Sequence, residues 1–463
     1  TNRRAGRLKK YKENKKMIKI GFAGFGEVNT PIEVIERKCK AAYESLKTPE
    51  TEVFTFYPIR DDYEETYINN AIEYFSGKDF DTLVLCVAGW IPTHAIIKVA
   101  DKFRHKPVVL WGLCGWYEDG HLVTTADQAG TSACRKTLED LGYKFKYVYD
   151  VVGLPSRAGE VLSFCKCASA AAEMRKVKIG QVGYRDMQLY GTQFDGIAVR
   201  REFGVEIECF EMLEIVQRAE KLDKSAIDSV VENRIKKWKF LKEPSAEAMR
   251  KAAAYYLGLK QIIDERKYKA VSIKDVDGFK KVLGFPPAPI FTLLGEDGVC
   301  TIPENDCMGN LTQVAVNALT GQVGAYLEFY EFFADGVLAG VPDYVPKEVV
   351  EGETVCYPAS FGELSQSLLN TSKVKTGELT MCRLTVKDGK FAMHIVKGNG
   401  KTPETWEECG WDKPAPQLSG LKVELADTEA FAQNVMGQHY IISYGDNVKL
   451  IKEYCKLNGI EII

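Results

Sequence analysis

Two carboxylates and one imidazole, drawn from separate stretches of this chain, make up its most chemically suggestive donor set. Glu304 lies in Thr301-Ile-Pro-Glu-Asn-Asp-Cys-Met-Gly-Asn310, Glu328 in Ala325-Tyr-Leu-Glu-Phe-Tyr330, and His439 in Asn434-Val-Met-Gly-Gln-His439. Such a set can hold a hard or borderline divalent cation and leave positions open for substrate oxygens. Each residue also has a plainer reading. Glu304 and Asp306 precede the helix-like run Leu311 to Leu319, where a carboxylate caps amides and complements the helix dipole, a task better suited to Asp306. Glu328 falls in the aromatic-rich pattern from Tyr326 to Phe333 and needs compensation only if it faces inward; alternation can equally turn it to solvent. His439 stands at the edge of an element, before the apolar run Tyr440-Ile-Ile-Ser443. Among the other histidines, His394 takes a half-exposed strand position and His105 a solvated place in a charged run.

Groups this far apart in sequence need a framework to converge. From Met17 onward, short apolar strands alternate with amphipathic helical periods: Ile18 to Gly24, Thr51 to Tyr57, Thr82 to Ala88 and Pro107 to Leu113, with Ile96 to Phe103 among the helices. This pattern predicts an open parallel sheet wrapped by helices, with strand ends facing a cleft. A second such unit begins at Lys176 to Gly183 and continues through Val205 to Phe210 and Ala270 to Lys274. Between these strands, two helices are expected from Ile215 to Arg266, broken near Pro244. After about residue 345 the chain becomes rich in turns. The Asp388-Gly389 step between Glu378 to Val386 and Lys390 to Val396 predicts a hairpin, and helices are expected near Asp427 to Val435 and Asp446 to Leu457. The fold class is therefore α/β, with two doubly wound parallel-sheet domains, 1–172 and 173–318, followed by a mainly β domain, 319–463.

Composition narrows the function classes. The 463 residues are 45% apolar and 27% charged with a net charge of -3, an ordinary enzyme surface without a global bias toward nucleic acid or membrane. The 13 cysteines include no CxxC pair, which removes zinc-ribbon and redox-dithiol readings. Without an apolar leader or a membrane-length stretch, the expectation is a cytoplasmic protein with reduced thiols. The basic segment Thr1 to Lys16 reads as a solvated arm. The glycines Gly21, Gly24 and Gly26 do not follow the dinucleotide fingerprint, and Glu27 would repel a pyrophosphate, so they read as a sharp turn at the sheet's carboxyl edge.

The segment Thr301 to Glu328, with Glu304-Asn-Asp306 and Leu319-Thr-Gly321, resembles the L-fucose isomerase / L-arabinose isomerase-like family, of which this chain looks like a shorter, divergent member. Leu379 to Leu384 with its hairpin, Asn434 to His439, Val109 to Gly112 and Lys178 to Gly183 follow in the same order. The resemblance implies that Glu304, Glu328 and His439 bind a metal, Mn2+ or another divalent cation such as Mg2+ or Co2+, with both carboxylates also shuttling a proton. It further implies sugar-contacting positions at Trp90, Met187, Lys274, Asp275, Ser360, Trp411 and Asn434, and a homo-oligomer, hexamer or trimer. In L-fucose isomerases the second metal carboxylate is usually aspartate, where Glu328 stands here. The early strand-turn also lacks the family's arginine, which argues against L-fucose as substrate.

The expected activity is a metal-dependent aldose-ketose isomerisation of an open-chain sugar or sugar derivative through an enediol. The alternatives are a metal-dependent aldolase or epimerase on the same scaffold, with Lys274 recognising an acidic sugar derivative, and a non-catalytic sugar-binding protein. Neither nucleic acid nor membrane is an expected partner.

Overall fold

Strands whose residues are apolar on both faces must be covered on both faces, and the first apolar runs meet this demand as a parallel sheet. In this computed structural model, which describes residues 17–341, 345–358, 367–405 and 419–463, the chain divides after Ala172 into two compact units. The first contains β1 (Ile18–Phe25), β2 (Thr51–Ile59), β3 (Thr82–Val87), β4 (Val108–Gly112) and β5 (Phe145–Tyr149), all parallel in the order β2-β1-β3-β4-β5. Strands β3 and β4 are buried along their whole length. Of the glycines read as a turn, Gly21 and Gly24 are inside β1, and Gly26 directly follows its carboxyl end. Their role is close packing, since a Cβ on Gly24 would stand 2.5 Å from Cys39 Sγ and one on Gly26 2.6 Å from Ile35 Cδ1.

The second unit opens with another parallel sheet, β6 (Lys178–Val182), β7 (Glu206–Phe210), β8 (Ala270–Ile273) and β9 (Cys300–Ile302), in the order β9-β8-β6-β7. Between β7 and β8 three α-helices replace the expected two: Met212–Ala219, Lys224–Asn233 and Ala246–Arg266. The extended backbone of Asp223 interrupts the first stretch. The third helix starts just after Pro244, where Ser245 caps the Ala248 N–H at 3.1 Å.

Six antiparallel strands follow: β10 (Ala325–Phe333), β11 (Gly336–Val341), β12 (Gly377–Lys387), β13 (Lys390–Lys401), β14 (Ser419–Leu425) and β15 (His439–Tyr444). They run in the order β12-β15-β10-β11-β14-β13, and β13 pairs back onto β12, so the sheet closes as a barrel and removes its exposed edges. The hairpin at Asp388-Gly389 has both turn residues at positive φ, 50° and 76°, with Lys387 opposite Lys390. Helices Thr428–Gln433 and Val448–Asn458 flank β15. His394 on β13 is buried, not half-exposed, because Tyr440 Oη meets its Nδ1 at 2.7 Å and Phe431 stacks on the ring. Among the described residues no helix is long and apolar enough to cross a membrane.

Candidate functional site

Glu304 stands where the chain leaves β9 for the helix Cys307–Thr320. Glu304 and Asn305 both take left-handed backbone, φ 62° and 49°. Such a turn persists at non-glycine residues only when its surroundings hold it. Three groups do so here. The Glu304 N–H donates to Asp275 Oδ1 at 2.7 Å, and the Asn305 amide donates to the carbonyls of Val182, at 2.8 Å, and Tyr184. Asp306, next along, caps the helix through the Gly309 N–H at 2.9 Å.

The other two members of the set face each other across adjacent strands: Glu328 of β10 is the register partner of His439 of β15. Tyr326, two residues before Glu328, shares its strand face, and its ring stacks on the imidazole with centroids 4.1 Å apart and planes 9° from parallel. His439 Nδ1 lies 3.7 Å from Glu304 Oε2, and Nε2 lies 3.9 Å from Glu328 Oε2. The Gln438 amide nitrogen reaches both carboxylates, at 3.3 Å to Glu304 and 3.4 Å to Glu328. The three side chains are therefore gathered in one place, with exposures of 14% for Glu304, 28% for Glu328 and 3% for His439.

Their electrostatics are strained. Burial, reinforced by the like charges of Asp275, Glu328 and Asp306, raises the Glu304 carboxyl well above the usual range. Burial lowers His439 to about 3, with Arg383 acting in the same direction and Asp306 opposing it, so the imidazole is neutral at physiological pH. For Asp306, burial is the largest influence and pulls upward, yet the Arg383 guanidinium, the Gly309 N–H and the Tyr326 hydroxyl together hold the carboxyl below its ordinary range.

Whether these residues suit a divalent cation can be judged from their chemistry. Two carboxylates and a neutral imidazole are the right donor types, and a carboxylate raised by burial and by neighbouring negative charge is one whose ionised form a cation favours. Among the described residues no three His, Cys, Asp or Glu side chains are drawn tightly enough to surround an ion. Each imidazole nitrogen faces a different carboxylate, so ligation requires these side chains to close on one nitrogen.

Of the remaining expected positions, Asp275 adjoins Glu304 directly. Asp275 is 1% exposed; one oxygen holds the Glu304 backbone and the other meets Lys280 Nζ at 3.1 Å. Lys274 follows β8 as Glu304 follows β9, two residues beyond the paired Ser272 and Ile302. Its stem runs beside Gly183, near Asn305. Met187 has φ 42° and donates its N–H to Asp277 at 2.8 Å. Asn434 spends its amide on the Ala430 carbonyl, 2.8 Å away. Trp90, in the first unit, is 39% exposed in the loop after β3. Ser360 and Trp411 lie outside the described residues. Sequence reasoning missed Gln438 and Arg383. Gln438 is adjacent to His439 and within reach of inspection, whereas Arg383 hydrogen-bonds Asp306, 77 residues away.

The L-arabinose isomerase central domain family matches residues 178–292. Two relatives are the sulfoquinovose isomerases of Priestia aryabhattai and of Priestia megaterium (strain ATCC 12872 / QMB1551). Each is 22% identical over 462 residues, covering 95% of this chain and 97% of the relative. Among solved structures, an ABC transporter periplasmic solute binding protein from Actinobacillus succinogenes 130z with bound D-allose matches at 15% identity. It covers 65% of this chain and 91% of that one with a TM-score of 0.16, too low to support any argument.

Proposed function

We propose, on the premise that this chain is a member of the arabinose/fucose isomerase-like family, that it is a metal-dependent aldose-ketose isomerase acting on an open-chain sugar through an enediol. The observation that carries this reading is the meeting of Glu304, Glu328 and His439 from three separate elements, with one neutral imidazole between two carboxylates. The residues that would hold the cation are these three. A bound divalent ion, Mn2+ being the best match to oxygen ligands plus one imidazole, supplies Lewis-acid stabilisation of negative charge on the sugar oxygens.

The protein's own groups have the rest of the work. Aldose-ketose exchange removes a proton from the carbon beside a carbonyl and returns one to the neighbouring carbon. Glu304, held in one place with Glu328 and His439, is the carboxylate assigned to take up that proton and give it back. Glu328 faces the same imidazole and serves the adjacent carbon. The Gln438 amide, already shared by both carboxylates, keeps them at a common separation.

The relatives named as sulfoquinovose isomerases cover nearly the whole chain, and this favours a sugar with an anionic substituent. Lys274, at the end of the strand next to that of Glu304, is the residue assigned to that anion.

Metal-stripped protein is to be incubated in D2O with sulfoquinovose and with neutral aldoses, with and without Mn2+, and followed by proton NMR. Appearance of the partner ketose, deuterated beside the carbonyl only when metal is present, is the expected result. Two shorter products would show carbon-carbon cleavage instead, and absence of exchange with every sugar would overturn the proposal.

A further inference from the structure

We infer that Tyr326, Asp306 and Arg383 form a positioning chain that sets the ring plane of His439, an inference that rests on the metal-centre reading above. A metal-binding histidine ordinarily has its orientation fixed by the second ring nitrogen donating to a carboxylate or carbonyl. His439 lacks that device among the described residues. Its two nitrogens make only long approaches, 3.7 Å to Glu304 and 3.9 Å to Glu328, beyond hydrogen-bonding distance. What meets the ring is the face of Tyr326, at 4.1 Å and 9°.

Tyr326 is itself fixed at both ends. Its backbone is in the β10–β15 ladder opposite Ile441, and its hydroxyl donates to Asp306 Oδ2 at 2.8 Å. Asp306 has no freedom to follow another geometry. Its Oδ1 accepts from Gly309 N at 2.9 Å and from Arg383 Nη2 at 3.0 Å, and Oδ2 also accepts from Arg383 Nη1. Arg383, on β12, donates in addition to the Gly191 carbonyl at 3.2 Å. A helix cap alone uses one oxygen of an aspartate; the second here anchors the tyrosine. The fork of Arg383 fixes the carboxylate plane, the carboxylate fixes the tyrosine hydroxyl, and the tyrosine face limits rotation of the imidazole about its Cβ–Cγ bond. The chain thus replaces the usual N–H anchor with a stacked ring and leaves both imidazole nitrogens directed at the carboxylates.

The test uses metal-stripped full-length protein and Mn2+. Free Mn2+ is measured by electron paramagnetic resonance, and the imidazole nitrogen coupling of bound Mn2+ by pulsed methods. Tyr326→Phe retains the stack and releases the anchor; Tyr326→Leu removes the stack. The expected losses of Mn2+ affinity are roughly tenfold for the first and up to about 100-fold for the second, the range seen when groups that orient a ligand are removed. The nitrogen coupling should change in both. The Phe variant preserves core volume and decides the matter if the Leu variant fails to fold. Wild type that binds Mn2+ alongside a Tyr326→Phe protein with the same affinity and coupling overturns this inference alone, even if that variant melts earlier. Wild type that takes up no Mn2+ overturns the metal-centre reading and the inference with it.

Discussion

Glu304 is the residue whose charge the fold accommodates least. Burial and three neighbouring carboxylates raise its proton affinity well above that of a free glutamate. In the metal-free protein the stability linked to this group is complete below the unfolded value near about 4.3 and is lost as pH rises through the folded value. Glu304→Gln removes that dependence. The metal-free variant should therefore match wild type near pH 4 and become the more stable of the two in urea unfolding as pH rises to 8, while isomerase activity falls at least about 100-fold. A variant less stable than wild type at pH 8 would contradict the electrostatic account. His439 acts with the opposite sign: its folded value of about 3 lies below the ordinary one, so its contribution is lost as pH falls below about 6.5. Because His439 Nδ1 lies 3.7 Å from Glu304, the deciding comparison of wild type with Glu304→Gln is made well above about pH 6.5, where His439 stays neutral in both states. That Glu304, Glu328 and His439 would come together was legible in the sequence because their surrounding segments carry a family resemblance. Arg383 was not, although it lies in the resembling segment Leu379 to Leu384, because its pairing with Asp306 spans 77 residues.

The helix Cys307–Thr320 shows how one element serves stability and the site at different ends. At its start Asp306 links the cap to Arg383 and Tyr326. At its end Gly321 has φ 77° and returns its N–H to the Asn317 carbonyl at 2.8 Å. Gly321→Ala places a Cβ in left-handed backbone and should cost about 1 kcal/mol, with Mn2+ affinity and kcat unchanged. Asp306→Ala should lower stability by more, since it strands the buried Arg383, and should also weaken Mn2+ binding. Thermal unfolding and Mn2+ titration of both variants check this contrast; equal effects on binding would remove the distinction. The helix was read from Leu311, whereas it starts at Cys307, directly after the capping Asp306. The Asp388-Gly389 hairpin was legible because its turn chemistry is local. Closure of the barrel was not. Strand alternation tells which residues share a face, whereas the pairing of Gly398 with Leu425 that helps close the sheet depends on chains brought together by the fold.

At the scale of the whole molecule, the two units have separate cores. One core runs from Ala23 to Tyr143 and the other from Val182 to Ile442. All three candidate ligands belong to the second unit, and they tie its parallel sheet, through the end of β9, to its barrel, through β10 and β15. A ligand that binds only the folded state stabilises what it binds, by about 2.7 kcal/mol when its concentration is 100 times Kd. Calorimetry of the metal-stripped chain should accordingly resolve two transitions, and saturating Mn2+ should raise only the one that belongs to the second unit. Glu304→Gln, which removes a charged donor but keeps its shape, should abolish most of that rise while leaving the other transition in place. Two transitions that move together would show that the units unfold as one despite their separate cores. Transitions unmoved by Mn2+ in wild type would leave Glu304, Glu328 and His439 without a common cation, and the isomerase reading would then lose the chemistry on which it depends.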